Sequence, residues 1–74
     1  MTRRAPAPTR YEIIAYRPTG AVARAVVADF PDIETTIRDL RRDIRDTGGW
    51  TPTIRVWRHA PEGTRDVTDW YPRA

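Results

Sequence analysis

The amino-acid sequence predicts an α+β fold: a single small domain in which one helix packs on a four-stranded, mainly antiparallel sheet. Three observations lead there. Asp32 to Thr47 is the one stretch with apolar residues at helical spacing. Two strand-like runs precede it, joined by Pro18-Thr19-Gly20, and two more follow, joined by Ala60-Pro61-Glu62-Gly63. The element order is therefore strand, strand, helix, strand, strand, and 74 residues suffice for one such unit. We divide it into a basic tail over 1–10, a folded part over 11–71 and a short end over 72–74.

The opening MTRRAPAPTR alternates alanine with proline and has no apolar period. Proline pushes the residue before it towards extended backbone, so this reads as a tail. Arg3, Arg4 and Arg10 give it the character of an arm that grips phosphates. Tyr11 to Arg17, YEIIAYR, is the first strand, and Ala21 to Ala28, AVARAVVA, returns. Between them proline presets one turn position and Gly20 takes positive φ. With Arg17 opposite Ala21, one face carries Tyr11, Ile13, Ala15, Ala23, Ala25 and Val27. The other carries Glu12, Ile14, Tyr16, Val22, Arg24 and Val26. The wholly apolar first face is the one expected to meet the helix.

Ile33, Ile37, Leu40 and Ile44 form the helix's apolar stripe. Asp32 is placed to cap its start, Glu34 suits its first turn, and Gly48-Gly49 ends it. Charge is divided around it. Arg38, Arg41, Arg42 and Arg45 sit roughly 80–180° from the stripe, and Asp39, Asp43 and Asp46 roughly 220–280°. Most pairs three or four apart are of like sign, and each is worth about 0.2–0.5 kcal/mol. Helix self-stabilisation therefore does not explain the partition. A solvated surface is the ordinary reading of such charges; the sharper one is that a flank meets something outside the helix.

Beyond the helix, Trp50 is expected beneath its C-terminal end. Thr53 to His59, TIRVWRH, alternates cleanly, and Thr64 to Tyr71, TRDVTDWY, returns. A four-residue loop sets Val56 against Val67 and Trp57 beside Asp66, with Trp70 further along on Trp57's side. From Tyr11 to Tyr71 this element order resembles β-grasp domains, the ubiquitin-like and immunoglobulin-binding folds. The resemblance is one of order and length and implies no residue roles. The hairpin-then-helix start also resembles the small arm-binding domains of tyrosine recombinases, which usually end at the helix, whereas this chain continues into a second hairpin.

One helix covers one side of a sheet. The other side is expected to present Ile14, Tyr16, Val22, Val26, Trp57 and Trp70, with Arg24, Arg55 and His59 among them. Burying a large apolar side chain is worth about 1.5–3 kcal/mol, so a face this apolar signals an interaction surface. Trp, Tyr and Arg are the types enriched at protein–protein hot spots. We therefore expect a module that docks a protein partner or a second copy of itself. The alternative is nucleic-acid binding through Arg24, Arg55 and Trp57, or through Arg38, Arg41, Arg42 and Arg45, helped by Arg3, Arg4 and Arg10. The basic pI of about 10.2 overstates that case. From Tyr11 onward ten arginines meet ten acidic residues, and the lack of Lys, Ser, Asn and Gln resembles GC-rich coding.

Catalytic chemistry has little to stand on. There is no cysteine and one histidine, His59, so no metal site and no thiolate are expected. Asp66 and Asp69 near His59 are the sort of grouping that chance produces at this charge density. No glycine-rich phosphate loop is present; Thr47-Gly48-Gly49 follows a helix instead of preceding one. We expect no cofactor, no small-molecule substrate, no membrane span and a cytoplasmic setting.

Overall fold

The computed structural model describes residues 9–72. Strand β1 (Arg10–Tyr16) and strand β2 (Val22–Ala28) form a hairpin, helix α1 (Ile33–Gly48) follows, and β3 (Thr53–Ala60) and β4 (Gly63–Asp66) form a second hairpin. A 3₁₀ turn (Thr68–Trp70) closes the chain. The four strands make one sheet in the order β2-β1-β3-β4, and every pairing is antiparallel. Of the tail, Arg10 is the first residue of β1, while Arg3 and Arg4 lie outside the described residues.

Helix α1 packs mainly across β1. Its buried residues are Ile33, Ile37, Leu40 and Ile44, the stripe read from the sequence. They close over Tyr11, Ile13 and Ala15 of β1, Ile54 and Val56 of β3, and Val67. Asp32 precedes the first helical residue without a side-chain capping bond; its carbonyl instead accepts from the Thr36 hydroxyl at 2.8 Å. Gly49 ends the helix at φ 70°, its N–H donating to the Arg45 carbonyl. Trp50 tucks against the last turn, with the Arg17 guanidinium 5.2 Å from its ring centroid. A Cβ on Gly48 would meet the indole nitrogen at 2.5 Å, so that position needs a glycine for close approach.

The first hairpin departs from the expected register. The turn itself is as read: Arg17 N–H donates to Ala21 carbonyl at 2.8 Å, and Tyr16 pairs with Val22. Beyond it β2 carries an extra residue, so that Ala15 pairs with Arg24, Ile14 with Ala25, Ile13 with Val26 and Glu12 with Val27. A bulge of this kind flips every later side chain to the other face. Val26 therefore packs against the core, whereas Val27 is 62% exposed. Two gains accompany the shift. A valine replaces an alanine opposite Ile13, and Arg24 swings to the helix side to pair with Asp43.

The second hairpin keeps the expected register, with Trp57 beside Asp66 and the Val67 N–H donating to the Val56 carbonyl at 2.8 Å. Its last strand stops early. Asp66 Oδ1 accepts from the Thr68 N–H at 2.9 Å and from the Thr68 hydroxyl at 2.6 Å. The Thr68 hydroxyl oxygen in turn accepts from the Val56 N–H at 3.0 Å. Side-chain bonds of this local kind compete with the ladder and turn the backbone. The expected strand residues 68–70 form the 3₁₀ turn as a result.

Candidate docking face

The helix leaves the opposite side of the sheet uncovered, and cross-strand pairing orders that side into rows. Val27, Glu12, Trp57 and Asp66 form one row, and Ala25, Ile14 and Arg55 the next. Val22, Tyr16 and Thr53 follow at one end, and Arg10, His59 and Thr64 lie at the other. The face is divided. Its β2–β1 half is apolar apart from Arg10 and Glu12 of β1, with Val22 57% exposed, Ala25 exposed, and Ile14 and Tyr16 half-buried. Trp57, also half-buried, stands at the border with the β3–β4 half.

The second half is polar and internally paired. Glu12 Oε1 lies 3.1 Å from His59 Nε2, and Thr64 Oγ1 lies 3.0 Å from His59 Nδ1. The His59 ring is thus held between a carboxylate on one nitrogen and a hydroxyl on the other. Arg55 approaches Asp66 at 3.7 Å. The Asp66 carboxyl is held below the ordinary aspartate range, first by the Thr68 hydroxyl and backbone N–H and then by Arg55. His59 is thus a tethered member of a surface network. Among the described residues, no three of His, Asp and Glu stand as a metal-holding group.

Of the expected face residues, Ile14, Tyr16, Val22, Arg55, Trp57 and His59 share this side of the sheet. Arg24 and Val26 do not: contrary to the expected register, the bulge turns both towards the helix. Trp70 is in the 3₁₀ turn outside the sheet, 51% exposed, with Arg65 5.8 Å from its ring centroid. Ala25 and Val27 take the vacated positions on the face. Nothing in a single run of small and β-branched residues marks where a bulge falls, so the sequence pattern alone places these two on the core side. Phe30, in the turn after β2, is a further exposed aromatic at 70%.

The helix flanks part company across the sheet. Asp39, Asp43 and Asp46 line an open groove of about 510 Å³ between α1 and β2, floored by Val26 and Leu40. Arg42 reaches over to Asp39 at 2.7 Å and lines that groove too. Arg38 lies 3.8 Å from Glu34, Arg41 is half-buried and Arg45 is exposed. No helix among the described residues is long and apolar enough to cross a membrane. Comparison with protein-family models, curated proteins and solved structures returns no match for this chain.

Proposed function

We propose that this protein is a non-enzymatic interaction module that docks a protein, either a partner or its own copy, through the helix-free face of the sheet. One observation carries the reading: the apolar half of that face, with Val22 and Val27 more than half exposed, borders an edge strand. Water gains nothing from contact with Val22, Val27, Ile14 and Tyr16, and a contiguous patch of this kind is where association recovers burial. An edge strand adds backbone donors and acceptors that a partner strand can use. Trp57 supplies an aromatic anchor and the Glu12–His59 and Arg55–Asp66 pairs a polar rim, the usual anatomy of a protein interface.

A face of aliphatics offers unpaired bases little to stack on, and Arg24 is withdrawn from it to Asp43. Nucleic-acid binding through Arg24, Arg55 and Trp57 therefore loses its ground on this side. The absence of cysteine suits a cytoplasmic setting. The test is sedimentation velocity of the full chain at micromolar concentration, alone and with proteins captured from its host. Val27→Asp is expected to abolish the complex while leaving the unfolding midpoint unchanged, since Val27 is outside the core. A complex that survives both Val27→Asp and Trp57→Ala contradicts the proposal.

A further inference from the structure

The balance of charge from Tyr11 onward conceals a separation. The aspartates of α1 lie over β2, where Asp43 holds Arg24 and Asp39 and Asp46 line the same groove. With the aspartate flank on the β2 side, the opposite flank, with Arg38, Arg41 and Arg45, faces away from β2. The second hairpin carries arginines as well. Arg58 and Arg65 are direct cross-strand partners, an arrangement that costs stability because like charges face each other. Glu62 balances Arg58 at 2.8 Å. Arg65 lies against Trp70, an indole left half in water. Arg58 and Arg65 thus stand side by side on the helix side of the second hairpin, Arg65 against a ring left half in water.

We propose that this side binds single-stranded nucleic acid, with Arg65, Arg58 and the α1 arginines taking phosphates and Trp70 stacking an unpaired base. Arginine alone would serve any polyanion. The half-exposed indole selects among them, because a base has a π-face to offer whereas an acidic peptide has none, and duplex bases are already stacked. The site is on the opposite side of the sheet from the protein-docking face, so each stands or falls by itself.

The experiment is fluorescence anisotropy of a labelled oligothymidine with the full chain, titrated at several salt concentrations. Affinity is expected to fall with salt by a log–log slope of about −0.7 for each phosphate contacted. Trp70→Ala is expected to weaken binding about tenfold, the worth of one stacked base. Trp70→Phe should keep most of the affinity. Arg65→Ala should weaken binding severalfold and lower the slope by roughly one contact, and Val27→Asp should leave it unchanged. The double variant Arg3→Ala, Arg4→Ala separates the tail: a loss there that leaves the Trp70 dependence intact supports the site. Absence of binding at low salt overturns it. So does equal competition by polyglutamate or duplex DNA, or affinity indifferent to both Trp70→Ala and Arg65→Ala.

Discussion

Asp66 does the work of several residues at the end of β4. Its carboxylate holds the backbone and hydroxyl of Thr68, and Thr68 occupies the Val56 N–H that a continuing strand would otherwise have bonded. These bonds favour the charged carboxylate, so its folded pKa is lowered. A group lowered on folding stabilises above its ordinary titration range, and that contribution is lost as pH falls through the folded value. The urea midpoint should therefore drop on acidification through and below the ordinary aspartate range. Asp66→Asn should be less stable at neutral pH and show a shallower acid dependence; part of the slope remains, because Glu62 is also held low by Arg58. An unchanged slope would mean that Asp66 is not the switch. Tyr71 presents the opposite case, a hydroxyl buried with no hydrogen-bond partner among the described residues, its pKa raised first by burial. Removing an unpaired buried polar group relieves a cost, so Tyr71→Phe should stabilise by about 1 kcal/mol in urea unfolding. Destabilisation would show that the hydroxyl has a partner.

The elements themselves were legible, and their reasons are local. Ile33, Ile37, Leu40 and Ile44 announce the helix, Gly49 its end, and Pro18 with Gly20 the first turn; each depends on neighbours in sequence. The Trp57–Asp66 register could be read too, because TIRVWRH alternates cleanly and a one-residue slip would put Val67 on the face of Trp57. The run VARAVVA carries no such signal, since alanine and valine suit either face. What decides its register is long-range: the room beneath Leu40 and the reach of Arg24 to Asp43 across nineteen residues. The pairing of Arg58 with Arg65 was equally implicit in the second hairpin, yet its meaning depends on which helix flank lies above it. The bulge makes a sharp prediction at this scale. Val26→Ala should cost about 1 kcal/mol or more, as a large-to-small change against the core does, whereas Val27→Ala should stay within about 0.5 kcal/mol. The reverse order in urea melts would restore the unbulged register.

For the whole molecule the governing fact is the number of layers. Among the described residues, one α-helix lies over one side of the sheet. The core it builds is small, ten hydrophobic residues with nothing charged inside among the described residues. Apart from Phe30 and Trp70, which are exposed elsewhere, the apolar residues that do not fit beneath α1 gather on the far side, where Val22, Ala25 and Val27 border Ile14, Tyr16 and Trp57. The acidic groove and the arginine side flank the helix and leave that far side almost free of unpaired charge. The molecule thus has two distinct sides, an apolar one beneath the sheet and an arginine-bearing one beside the helix.

The most direct measurement of the docking claim is site-specific photo-crosslinking in the native host, from Ala25 on the uncovered face and from Thr35 on the exposed side of the helix. One discrete adduct from Ala25 and none from Thr35, with the Ala25 adduct lost in Val27→Asp, is the result this account predicts. No adduct from Ala25, or the same adducts from both positions, would contradict it.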